Sequence, residues 1–127
     1  MIEVVTEYVV KPEARGWFEL AYGPGGAWSE MTDGCEGFRG TTVLRDEEDP
    51  RRYLTVDLWT SEDAWEVAVA EHEEAYAALQ ADFDEWLDSM VRVGIFRVLA
   101  QATVRPWGRT QPGSTRGSGR RGRRGTL

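Results

Sequence analysis

Cysteine occurs once, at Cys35, so no disulfide can close within the chain, and a reducing compartment is expected. Histidine also occurs once, at His72, which leaves little from which to build a metal site. Asparagine is absent and Lys11 is the sole lysine; this bias fits GC-rich coding and carries little functional weight. No apolar run approaches the ~18 residues that a membrane span needs. Met1 leads directly into Ile2-Glu3-Val4-Val5, which reads as a strand and not as a signal peptide. The expectation is therefore a cytoplasmic, soluble protein without membrane contact. The spacings GxGxxG and GxxxxGK[ST] are both missing, so Gly23-Pro24-Gly25-Gly26 is not a phosphate loop.

Acidic residues are missing from residues 105–127, which carry seven of the 15 basic residues, all arginine. All 22 acidic residues lie before Ala100, against eight basic ones in residues 1–104. An acidic body repels phosphate, so nucleic acid is not its expected ligand. The basic segment is rich in Gly, Ser, Thr and Pro. It cannot bury enough surface to offset its ordering entropy, so a disordered tail over 105–127 is expected, following one domain over 1–104. Arg116 to Gly125 resembles a short arginine–glycine segment, a type that contacts RNA or acidic surfaces weakly. The plainer reading is a solvated tail that touches its own acidic body.

Ile2 to Val10, rich in Val, Thr and Tyr, predicts a first strand. Lys11-Pro12-Glu13 opens a helix, with Trp17, Leu20 and Ala21 as its apolar face. Gly23 to Gly26 interrupts it, and a second piece resumes at Ala27-Trp28 and runs to about Met31. That interruption reads as a kink or as a lid shaping a pocket mouth. Asp33 to Gly37 is a turn, Phe38 to Arg45 a second strand, and Tyr53 to Trp59 a third. In the third strand, Leu54, Val56 and Leu58 share one face, and Tyr53, Thr55, Asp57 and Trp59 the other. Thr60-Ser61-Glu62-Asp63 has capping-box form, with Thr60 as the cap. A helical pattern then runs from Ser61 to Met90, through Trp65, Ala68, Tyr76, Leu79, Phe83, Trp86, Leu87 and Met90. Straight, it would span about 45 Å. That is long for so small a domain, so a bend or break is expected, although no Gly or Pro marks the place. Val91 to Leu99 predicts a fourth strand, apolar on both faces.

The resulting order, βαββαβ, is the ferredoxin-like α+β pattern, with an antiparallel four-stranded sheet. Helices cover one sheet face. Nothing in the chain remains to cover the other, so a homodimer is expected on packing grounds.

Three motifs resemble the antibiotic biosynthesis monooxygenase family of dimeric α/β-barrel proteins. They are Gly34-Cys35-Glu36-Gly37-Phe38, Arg45-Asp46-Glu47-Glu48-Asp49-Pro50, and Trp59-Thr60-Ser61-Glu62-Asp63-Ala64 with His72 downstream. The resemblance covers about Ile2 to Leu99. It implies a homodimer with a pocket in each subunit between the sheet and its own helices. It further implies oxidation of a small phenolic or quinol-type aromatic molecule by O2, without metal, flavin or haem cofactors. An electron-rich, deprotonated substrate can itself give an electron to oxygen. The protein then supplies a dry aromatic pocket and a proton acceptor. On that resemblance His72 is the candidate catalytic base. Tyr8, Trp28, Trp59, Trp65 and Tyr76 are candidate substrate-binding groups. The resemblance to haem-degrading members fails at the Asn-Trp-His set, since there is no asparagine.

Each candidate also has a plainer reading. His72 serves equally as a hydrogen-bonded core or rim residue. Trp65, Tyr76, Phe83 and Trp86 keep helical period and read first as core. Trp59 would anchor the start of the helix, and Cys35, with no basic neighbour in sequence, is inert. Asp57 is costly if buried alone, and Arg92 or Arg97 could pair with it. Two further functions stay open: a non-catalytic small-ligand-binding or regulatory module, and a structural dimer whose basic tail recruits a partner.

Overall fold

The computed structural model describes residues 1–101. Strand β1 (Ile2–Val10) leads through a 3-10 turn (Pro12–Ala14) into helices α1 (Arg15–Tyr22) and α2 (Ala27–Thr32). Strands β2 (Phe38–Arg45) and β3 (Arg52–Trp59) follow, then α3 (Glu62–Glu71), α4 (Glu73–Trp86) and β4 (Leu87–Arg97). The sheet order is β2-β3-β1-β4, with antiparallel neighbours throughout. This is the expected ferredoxin-like α+β fold. The tail expected to be disordered lies outside the described residues.

Alternation builds the sheet's two faces. Val4, Thr6, Tyr8 and Val10 of β1 and Tyr53, Thr55, Asp57 and Trp59 of β3 are all buried beneath the helices. Their neighbours Val5, Val9, Leu54, Val56 and Leu58 point to the other side and are only half-buried. On that side Leu44, Val91 and Phe96 keep 47, 52 and 48% of their surface exposed. The helix-covered core has two parts. Tyr8, Phe18, Trp28, Tyr53, Leu79 and Phe83 anchor the larger, and Val4, Trp59 and Ala68 the smaller.

Three local expectations need correction. First, α1 packs through Phe18 and Ala21, next to Ala14 of the 3-10 turn, while Trp17 and Leu20 stay 61 and 66% exposed. Eight residues are too few for spacing alone to choose a face, and the aromatic pair below decides it: the Phe18 ring lies 5.1 Å from Tyr8 and 4.8 Å from Tyr53. Second, Ser61, not Thr60, caps α3, its hydroxyl accepting from the Ala64 amide at 3.0 Å. Glu62 and Asp63 then both sit in the first turn, against the positive end of the helix dipole. Third, α4 ends at Trp86, and Leu87 and Met90 belong to β4. The break expected in the long helix falls at His72 (φ −112°, ψ 34°), without glycine or proline, so that α3 covers the smaller core and α4 the larger.

Two glycines are required by close approach. Gly37 (φ +89°) passes the start of α3 so tightly that a Cβ would lie 2.7 Å from both the Ala64 Cβ and the Thr60 Oγ1. Its carbonyl accepts from the Thr60 amide at 2.8 Å. At the α1–α2 corner, a Cβ on Gly26 would lie 2.0 Å from the Leu20 carbonyl oxygen. That corner is therefore a packed turn, held also by the Ser29 hydroxyl donating to the Gly23 carbonyl at 2.8 Å.

Candidate functional site

Sheet register brings the polar residues of the helix-covered face together. Asp57 lies opposite Val4 on one side and Thr41 on the other, and Thr6 lies opposite Thr55 and Arg92. Val4, Thr6, Tyr8, Asp57 and Arg92 floor a cavity. Tyr22 of α1, Trp28 of α2 and Tyr76, Leu79 and Phe83 of α4 roof it. Gln80 and Met90 complete the lining, and Met90 and Arg92 are its exposed members, which places them at the rim. The space measures about 40 Å³, room for a few water molecules. A bound ring requires it to widen. Gln80 and Met90, both unbranched and flexible, can provide that by rotamer change.

A hydrogen-bonded chain crosses one wall. The Trp28 indole Nε1 donates to the Thr41 hydroxyl at 2.8 Å, and that hydroxyl donates to Asp57 Oδ1 at 2.7 Å. The Tyr8 and Tyr22 hydroxyls meet at 2.9 Å. Arg92 Nε donates to Thr6 Oγ1 at 3.0 Å, and the guanidinium lies 5.5 Å from the centre of the Trp65 ring. No ion pair to Asp57 forms among the described residues.

Burial dominates the electrostatics. It pushes the Asp57 carboxyl from its ordinary 3.8 up to about 6, against the opposing pull of the Thr41 hydroxyl and the Arg92 charge. Burial also raises Tyr8 and Tyr76 and carries Tyr22 well above its ordinary value. The tyrosines therefore stay neutral, and Asp57 is the lining group that changes charge near neutrality. Among the described residues no three His, Cys, Asp or Glu side chains converge to hold a metal ion.

Of the six residues singled out in the sequence, Tyr8, Trp28 and Tyr76 line the cavity. Trp59 is buried in the smaller core, edge-on to Phe38 at 5.1 Å. Trp65 packs on the same cluster and is not among the lining residues, though it touches the lining at Arg92, whose guanidinium lies over its ring, and at the Tyr76 hydroxyl. His72 sits half-buried at the α3–α4 junction and is not among the lining residues. Tyr22, Thr41 and Arg92 were not legible as site residues. Asp57 was legible as a carboxylate on a buried strand face. The suggested pairing with Arg92 is not a direct contact, and Arg97 stands opposite Ile2 near the other end of β1.

The family model for antibiotic biosynthesis monooxygenase matches residues 1–90. The chain belongs to the antibiotic biosynthesis monooxygenase family. Solved structures share its fold. SnoaB, a cofactor-independent oxygenase from Streptomyces nogalater, is 24% identical, with a TM-score of 0.59 over 81% of this chain and 95% of that one. Putative antibiotic biosynthesis monooxygenases from Nitrosomonas europaea and Deinococcus radiodurans are 13 and 14% identical, each with a TM-score of 0.62. They align over 79 and 84% of this chain and 100% of their own lengths. No curated protein matches the chain. Among the described residues no helix is long and apolar enough to cross a membrane.

Proposed function

We propose that this protein is a cofactor-independent monooxygenase-like catalyst that oxidises a small phenolic or quinol-type aromatic molecule with O2, and that it works as a homodimer. The observation that carries the reading is the cavity between sheet and helices, walled by Tyr8, Tyr22, Trp28, Tyr76 and Phe83 and holding one carboxylate and one guanidinium. Family membership and the fold shared with SnoaB support the same chemistry.

The aromatic walls stack a ring and exclude water. Loss of the phenolic proton leaves a phenolate rich enough in electrons to reduce O2 directly. A ring that gives up its O–H proton and one ring C–H hydrogen gains one oxygen atom as a second carbonyl, and the other oxygen atom leaves as water. All four electrons come from the substrate, so the overall reaction needs no external reductant. The cationic Arg92 at the rim favours the anionic ring over the neutral one.

The homodimer is supported by the sheet face that the helices leave uncovered. Leu44, Leu54, Val56, Val91 and Phe96 form an apolar surface there, of the kind that a second copy would bury.

The test is oxygen uptake by the purified protein with a panel of hydroquinones, alongside His72→Ala. The expected result is uptake above the spontaneous rate, retained in His72→Ala because His72 does not line the cavity. A wild-type rate no faster than the spontaneous one across the panel overturns catalysis and favours a ligand-binding module. Loss of uptake in His72→Ala restores the histidine as the base.

A further inference from the structure

We propose that Asp57 is the proton acceptor of this cavity, taking the hydroxyl proton of a bound phenol. This rests on the cavity being the substrate site. In the step, the phenol O–H bond breaks, a new O–H bond forms on the Asp57 carboxylate, and the electron pair stays on the phenolate oxygen.

The placement carries the argument. Asp57 is the one carboxylate lining the cavity, and it is 7% exposed. Its Oδ1 accepts from Thr41, while Oδ2 accepts no hydrogen bond among the described residues. A buried carboxylate with one oxygen satisfied and no ion pair is expensive. A purely structural role, holding Thr41 and through it Trp28, needs only one acceptor oxygen, which an asparagine would supply without the charge. The surroundings fit a proton acceptor. Tyr8 from β1, Tyr22 from α1 and Tyr76 from α4 line the cavity with it as neutral groups, and Thr41 donates to it from β2. Arg92 from β4 is the one positive charge in the lining, and its Nε is spent on Thr6. A group that ionises near 6 is largely deprotonated at neutral pH, yet is a stronger base than an ordinary aspartate.

The test compares 4-methylphenol with its methyl ether, 4-methylanisole, on the full chain, with affinities from NMR titration on either side of pH 6. An ionised Asp57 recognises the O–H of the phenol and has nothing to accept from the ether. The expected result is a roughly tenfold gain in affinity for the phenol as pH rises through about 6, the size of a charge-assisted hydrogen bond. The ether shows no such gain, and neither ligand shows it on Asp57→Asn. Should that variant fold poorly, Thr41→Val moves the wild-type transition to higher pH by removing a donor to the carboxylate. An unchanged gain in Asp57→Asn, equal behaviour of phenol and ether, or no binding of either overturns the proposal. The oxygen arm separates the two readings. Absence of uptake with quinols sinks the oxygenase reading and leaves the binding result standing. Uptake in Asp57→Asn with an unchanged rate and pH profile sinks the role of Asp57 alone.

Discussion

Replacing Asp57 with asparagine should make the protein more stable at neutral pH, by an amount that depends on pH in a defined way. The carboxyl titrates at about 6 in the folded protein against 3.8 when free of it, with burial as the first cause. Below 3.8 the group is protonated in both states and costs nothing as an ion. As pH rises between the two values, the unfolded chain ionises while the folded one resists, so stability falls; above about 6 the loss is complete. At ~1.4 kcal/mol for each tenfold difference in proton affinity, the loss comes to about 3 kcal/mol. Asparagine keeps an acceptor for the Thr41 hydroxyl, 2.7 Å away in the wild type, and carries no ionisable group. Urea unfolding should therefore show Asp57→Asn gaining about 3 kcal/mol over the wild type well above pH 6, and little at pH values below 3.8. For a domain of this size, that is a rise of roughly 10–20 °C in Tm at the higher pH. A difference that is the same at both pH values would refute the reasoning, because burial of the ionised form would then not be what the carboxylate costs. The fold would be giving up stability at the position where we place its chemistry, as strained or desolvated active-site groups commonly do.

Other substitutions probe neighbouring parts of the structure. Thr41→Val should leave the Trp28 indole without its acceptor, costing about 1–3 kcal/mol in denaturant unfolding. Arg92→Met should raise the Asp57 titration further, since the arginine charge holds it down; the pH profile of phenol binding or oxygen uptake would move upward, and an unmoved profile would mean that the two charges do not interact. Gly26→Ala should be strongly destabilising, because its Cβ would meet the Leu20 carbonyl oxygen at 2.0 Å, whereas Gly16→Ala in α1 meets nothing within 4 Å and should stabilise by about 0.5–1 kcal/mol. Sedimentation should give twice the chain mass, and Leu54→Asp on the uncovered sheet face should reduce it to one; a wild-type protein that sediments as one chain would remove the homodimer.

The sequence alone determined whatever depends on neighbours along the chain. Period-two alternation placed Tyr53, Thr55, Asp57 and Trp59 on one face of β3, because successive side chains of a strand must point to opposite sides. The same logic, with the punctuation by Gly23–Gly26 and Asp33–Gly37, yielded the order of elements and hence the ferredoxin-like class. Apolar spacing also marked most of the helix positions that pack, from Ala68 through Phe83. What the chain could not show locally was which faces meet. Asp57 accepts from Thr41 because the β2–β3 register sets them opposite each other, 16 residues apart in sequence. Arg92 joins the site because β4 pairs with β1, which places it beside Thr6 across 86 residues. His72 shares the helical spacing of the aromatic stripe, yet the helix breaks at that residue and leaves it at a junction. Continued helical geometry is only one of the conformations open to such a stretch, and the two parts of the core beneath it select the other. Tyr22 enters the cavity for the same reason that Trp17 and Leu20 stay outside: eight residues of α1 settle on the face that Tyr8 and Tyr53 complement. Distances along the chain decided the elements, and distances across the sheet decided the site.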